Sequence, residues 1–153
     1  MCKRKPDWTI RKFKARYCVR GGFQKRLSPE SLDLYYPLVQ WVIVILMLIL
    51  QCILGFQSQS IDFTNAFAQA DIPSGEPVLI EITRDFKSDG GQCGVVIRLN
   101  KSLYGQAQAA HLWYENLLNG LVDSGFVVIR VDPCIFISKT VFCMVYVDDC
   151  LFL

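Results

Sequence analysis

None of the seven cysteines (Cys2, Cys18, Cys52, Cys93, Cys134, Cys143 and Cys150) stands in a C-x-x-C pair. An odd count at irregular spacing argues against a zinc site or a disulfide framework. Most of them sit inside apolar runs and read as small buried hydrophobes in a reducing, intracellular setting. The N-terminus is basic but lacks the apolar stretch of a signal peptide. No internal repeat or low-complexity tract is visible, so array and linker readings fall away. The chain also lacks a strong charge imbalance: its net charge is only +2, which by itself does not call for a polyanionic partner.

The longest absence is of charge itself. Residues 38 to 56, LVQWVIVILMLILQCILGF, carry no charged residue, over a length close to the roughly 20 residues of a membrane span. Gln40, Gln51, the β-branched cluster at 42 to 45 and the polar sequel QSQS argue for a buried helix instead, with a strand as the alternative.

What is present fits one domain of 153 residues, 52% hydrophobic and 20% charged, which excludes intrinsic disorder. Ten of the sixteen Lys and Arg residues fall in the first 26 positions. That basic lobe on a near-neutral body suits a polyanion, or else is a solvated face. KPDWT opens as a turn, and TIRKFKARYCVR reads as a strand. GGFQKRLSPESLDLYYP is a loop. SIDFTNAFAQADIP reads as a short strand ending near Asp62, then a turn and helix with Thr64 or Asn65 as cap. EPVLIEI and VVIRLN are strands around the loop SDGGQCG. AQAAHLWYENLLNGLVDSGF is the clearest helix, with Leu112, Trp113, Leu117, Leu121 and Val122 at helical spacing and Gly125 as its stop. VVIRV, CIFIS and VFCMVYV follow as strands separated by DP and KT. The expected class is α+β, an antiparallel sheet packed on helices.

The chemistry gathers at the end of the chain. VFCMVYV runs into Asp148-Asp149, and CLFL is placed to return as a hairpin partner. Asp62 likewise ends an apolar strand. If those strands are neighbours, three carboxylates converge, raise one another's pKa and call for a cation. Hard oxygen donors with room for water and phosphate suit Mg²⁺. An isolated Asp-Asp pair, by contrast, is most simply a turn.

The wider set of motifs resembles the reverse transcriptase of copia-type LTR retrotransposons. YVDD (146–149) is similar to the catalytic hairpin of that family, and IDFTNAF (61–67) to its first catalytic motif. KSLYGQAQAAHLWYE (101–115), FKARYCVRGGFQ (13–24) and SGFVVIRVDPCIFI (124–137) resemble three further segments, in the family's order and across nearly the whole chain. The resemblance implies the fingers and palm of a right-hand polymerase, with about 1–37 finger-like and about 38–153 mostly palm. It implies an RNA-directed DNA polymerase. Asp62 and Asp148 would hold two Mg²⁺ ions (Mn²⁺ as a substitute) with Asp149 beside them. Lys14, Arg16, Arg20, Phe67, Tyr104, Gly105 and Tyr146 would line the nucleotide side, and Trp113 and Tyr114 would pack the core. The implied partners are an RNA template, a DNA primer, a deoxynucleotide and the rest of a Pol polyprotein with thumb, RNase H and integrase. The implied setting is cytoplasmic, in a virus-like particle, or nuclear. The uncharged segment becomes a palm helix under the sheet, with no stable membrane insertion.

Several positions depart from the family pattern. T-I-R gives way to Val-Ile-Val-Ile at 42–45, and G-L-K-Q-A to Gly105-Gln106-Ala107-Gln108-Ala109, which loses a basic residue. His111 or its neighbour stands where the family has Arg, and Trp8 stands near a turn that usually holds Gly. The end at Leu153 is expected to cut the hairpin's return strand short and leave an open sheet edge. These departures support a second reading, a catalytically dead remnant that only binds nucleic acid; the uncharged run supports a third, a small membrane protein built on 38–56.

Overall fold

The computed structural model describes residues 2–13, 15–23, 34–75, 77–81 and 95–153. Nine strands and two α-helices are present among them, in an α+β arrangement. β1 (Cys2–Arg4) and β2 (Ile10–Phe13) form a hairpin. Its turn is closed by Asp7, whose carboxylate accepts from the Thr9 N–H at 3.0 Å and the Thr9 hydroxyl at 2.6 Å. Trp8 adopts φ 64°, the left-handed conformation that glycine would occupy without strain.

The uncharged segment is helical. α1 spans Trp41–Leu54, and its 14 residues reach about 21 Å at 1.5 Å per residue. Among the described residues no helix is long and apolar enough to cross a membrane. The strong helix expected downstream is α2, Ala109–Asp123. Both helices end on a left-handed glycine, Gly55 at φ 69° and Gly125 at φ 87°.

The central sheet has the order β3-β9-β8-β7-β6, with every pair antiparallel. Its strands are β3 (Gln59–Asp62), β6 (Val127–Ile129), β7 (Asp132–Ile137), β8 (Phe142–Tyr146) and β9 (Asp149–Phe152). Asp132 and Pro133 belong to β7 itself, and the turn before it is Arg130-Val131. β4 (Val78–Glu81) and β5 (Val96–Leu99) form a separate pair; the expected loop SDGGQCG lies at 88–94, outside the described residues. The open edge expected at the last strand is not there, because β9 pairs with β8 on one side and β3 on the other.

Period-2 alternation sends neighbouring side chains to opposite faces of this sheet. Phe136, Cys143, Val145 and Cys150 pack with Leu112, Trp113, Leu117 and Leu121 of α2. Ile135, Met144 and Leu151 pack instead with Val39, Ile43 and Val44 at the start of α1. Cys134, Cys143 and Cys150 are buried free thiols, whereas Cys18 and Cys52 are exposed. Burial and the neighbouring Asp132 push the Cys134 thiol up to about 12.

Two consecutive residues of β7 clamp both helices. The buried Asp132 carboxylate accepts from the Cys134 N–H at 2.8 Å and from the Gln40 N–H, just before α1, at 3.4 Å. The Tyr114 hydroxyl of α2 donates to the Pro133 carbonyl at 2.9 Å. A carboxylate at the start of α1 also meets the favourable end of that helix's dipole.

Candidate active site

β8 and β9 are joined by Val147-Asp148, and Tyr146 pairs with Asp149 across the hairpin. Val147 takes φ 57° while Asp148 does not have positive φ. A β-branched residue in that region is strained, so the turn needs outside support. The core supplies it. The Trp113 indole N–H, deep in α2, donates to the Val147 carbonyl at 2.7 Å, and the Phe63 N–H donates to the Asp148 carbonyl at 2.9 Å. Phe63 in turn meets Trp113 edge to face at 5.3 Å between ring centroids. Two links thus tie the turn to α2 and to the end of β3.

The strand pairing answers the question the acids pose. Asp62 at the end of β3 lies in register opposite Asp149 at the start of β9, and Asp148 is the residue before. The Asp149 carboxyl is held above its ordinary value, first by desolvation, then by the negative charges of Asp148 and Asp62. Such mutual repulsion is what a bound cation relieves. Asp62 and Asp149 are exposed and Asp148 is half-buried, which leaves space for other oxygen ligands. No group of three or more His, Cys, Asp or Glu side chains stands in metal-holding geometry among the described residues. The donors fit a hard divalent cation in chemistry, as a partial ligand set that water and phosphate oxygens would complete.

A second cluster forms around Tyr104. Its ring lies edge-on to Phe67 at 4.9 Å, and the Arg16 guanidinium sits over it, 5.1 Å from the centroid. The Val19 N–H donates to the Tyr104 carbonyl at 2.8 Å. Gly105 has φ 88°, and a Cβ there would collide with the Val19 carbonyl; one on Gly21 would collide with the Gly105 carbonyl. Two glycines therefore let segments 19–21 and 104–107 touch backbone to backbone. The buried Ser102 fixes the same corner, its hydroxyl donating to the Phe67 carbonyl and its N–H to the Ala70 carbonyl.

Arg16, Phe67, Tyr104 and Gly105 are thus brought together. The expected strand carrying the basic residues is not: β2 ends at Phe13, and 15–20 runs without a strand partner. Without the strict alternation of a strand, Arg20 goes elsewhere. It lines a groove of about 650 Å³ against Val78–Glu81 of β4. Lys14 lies outside the described residues. Tyr146 does not join Tyr104 either; it lines a separate cavity of about 220 Å³ with Asp149, Met144 and Trp41. Asn65 stands before the 3₁₀ turn Ala66–Gln69 but makes no side-chain cap bond.

Two contributors were not legible as site residues. Trp113 reads as core, and it is core, yet its N–H also fixes the hairpin turn. The available signal was that a buried indole N–H needs an acceptor. Gln106 occupies a position where the resembling pattern has Leu. Its Oε1 accepts from the Leu103 N–H at 2.7 Å, while its buried Nε2 has no partner. His111 is structural, with Nδ1 at 2.7 Å from the Tyr35 carbonyl and Nε2 at 3.4 Å from Glu115.

The fold and this corner define an α+β domain with an acidic hairpin braced by a helix. The sequence profile of the reverse transcriptase (RNA-dependent DNA polymerase) family matches residues 1–153, and the chain belongs to that family. It is 27% identical over 97% of its length to a retrovirus-related Pol polyprotein from transposon TNT 1-94 of Nicotiana tabacum. It is 28% identical over 95% of its length to the corresponding polyprotein from transposon RE1 of Arabidopsis thaliana. These relatives place it with copia-type retrotransposon Pol sequences. The chain spans 11% and 10% of their respective lengths. No solved structure matches it significantly.

Proposed function

We propose that the chain is the fingers and palm portion of a reverse transcriptase that adds deoxynucleotides to a DNA primer on an RNA template. Residues 1–37 belong to the fingers on this reading, and 38–153 mostly to the palm. The observation that carries it is the register of Asp62 against Asp149, beside Asp148 on a braced turn. Asp62 and Asp148 would hold Mg²⁺, which when bound activates the primer hydroxyl and neutralises charge on the departing pyrophosphate.

The chain's own part is positioning and charge. Trp113 and Phe63 hold the turn so that the carboxylates keep their places. Arg16, over the Tyr104 ring, offers a forked cation to a triphosphate. Phe67, packed on Tyr104 and pinned through its carbonyl by Ser102, presents a rigid aromatic edge where a sugar would lie. Arg20 in the neighbouring groove is available to a template phosphate.

A binding-only reading has one specific observation behind it, Ala107 in place of the basic residue of the family pattern. Primer extension separates the two. A polypeptide carrying this chain should extend a DNA primer on an RNA template with Mg²⁺, and Asp148→Asn should abolish synthesis while leaving salt-sensitive RNA binding intact. RNA binding without synthesis in the unsubstituted protein would establish the binding-only reading.

A further inference from the structure

The tip of the β1–β2 hairpin has the backbone of a glycine and carries a tryptophan. The turn is tightly held: the Trp8 N–H donates to the Lys5 carbonyl at 3.0 Å and the Lys5 N–H to the Thr9 carbonyl at 2.9 Å. Pro6 fixes φ at the second position of the turn, and the Asp7 carboxylate accepts from Thr9. The residue that follows such a turn takes positive φ, which suits glycine. Trp8 takes it at 64°, against the clash between Cβ and carbonyl that glycine escapes. The indole recovers little of this by burial, being 76% exposed. A strained backbone beneath an exposed ring is what a contact residue shows, and not what packing asks for.

We propose that the β1–β2 hairpin is a stacking platform for single-stranded nucleic acid, the Trp8 indole taking an unpaired base and Lys5 and Arg11 the phosphates beside it. Charge selects this occupant. Within the first 26 residues ten Lys and Arg stand with one acid, Asp7, and its carboxylate is engaged by Thr9. Lys5 and Arg11, on either side of the turn, are exposed. Phe13, at the end of β2, presents a second ring, also 76% exposed. Cations interleaved with open rings match a phosphate backbone that carries unpaired bases, and stacking accepts any base. A duplex offers base edges in its grooves and would leave the indole idle. An acidic stretch of protein would meet the charges and give the ring no role. A membrane would have to take up the Asp7 carboxylate beside the ring. The inference deepens the polymerase reading and rests on it only for naming the strand as template; it uses none of the three clustered aspartates.

Anisotropy titration of the chain against a short labelled oligouridylate, in EDTA, reads binding with no metal-dependent step. Trp8→Ala and Trp8→Gly are each expected to weaken it about five- to a hundred-fold, and Trp8→Phe to keep most of it. An abasic strand of equal length and charge should bind the Trp8 variants as it binds the parent. The salt dependence should be unchanged in Trp8→Gly and shallower when Lys5→Gln and Arg11→Gln are combined. Trp8→Gly restores the residue the turn prefers, so it should unfold at no lower urea concentration than the parent while binding less, which separates a contact from a structural role. Trp8 variants that bind oligouridylate as tightly as the parent, or that lose the abasic strand equally, would overturn the proposal. So would binding to polyglutamate or to phosphatidylserine vesicles that depends on Trp8 and exceeds binding to the oligonucleotide. Trp8-dependent binding in a chain that never extends a primer would uphold the platform and fail the polymerase reading alone.

Discussion

The two helices invert the usual relation between hydrophobicity and burial. α1 is apolar at all but one of its 14 positions yet buries only Met47. α2 carries polar and charged residues along its length yet buries Ala109, Leu112, Trp113, Leu117 and Leu121. Pattern decides the difference. In α2 the apolar residues form one stripe, and that stripe meets the sheet. In α1 apolar residues go all the way round, so at least half must face something other than this sheet. The two helices also serve the candidate site differently: α2 reaches the hairpin through Trp113, whereas α1 touches the sheet from the other side.

The comparison can be broken first at the tryptophans. Trp113→Ala removes a buried ring and the donor to the Val147 carbonyl, and should lower the unfolding free energy by roughly 3–5 kcal/mol. Trp41→Ala, on the exposed face, should change the monomer by less than about 0.5 kcal/mol. Urea titration of both variants decides it, and equal losses would refute the asymmetry. Next comes the clamp. Asp132→Ala strands the Gln40 and Cys134 N–H groups and should cost about 1–3 kcal/mol. Hydrogen exchange should accelerate across residues 41–54 and leave the amides of α2 slow.

A smaller effect sharpens the α2 side. Val147→Gly removes a β-branched residue from positive φ and should stabilise the hairpin by about 1 kcal/mol, read as a higher midpoint in the same urea titration. The smallest is electrostatic. Asp149 is raised by desolvation and by Asp148 and Asp62, so its protonated form is favoured in the fold. Its contribution to stability is therefore fully present below the ordinary aspartate pKa and is lost as pH rises through the raised value. Asp149→Asn should flatten the stability–pH curve in that acidic window.

Much of this was legible in order and pattern. The strands from Val127 to Phe152 announce themselves by apolar runs and short breaks, and α2 by its spacing. The adjacency of Asp62 and Asp149 was visible only as a condition, because strand pairing across nearly ninety residues has no local signature. The same blindness produced the open edge expected at β9, which β3 covers. Arg16 and Arg20 parted because alternation presumes a strand, and Val19 is held instead by Tyr104 across the glycine contact. For α1, hydropathy raised a membrane question, and among the described residues no helix is long and apolar enough to cross a bilayer; the helix itself followed from context, and its exposed outer face did not.

The most direct test of the carboxylate site is a Mn²⁺ titration of the chain followed by backbone NMR. Paramagnetic broadening should begin at Asp62, Phe63, Asp148 and Asp149, reverse on adding Mg²⁺, and disappear in Asp62→Asn and Asp148→Asn. Broadening spread evenly over exposed acids such as Asp71 and Glu115, or unchanged in those two variants, would contradict the claim that the hairpin gathers its aspartates for a cation.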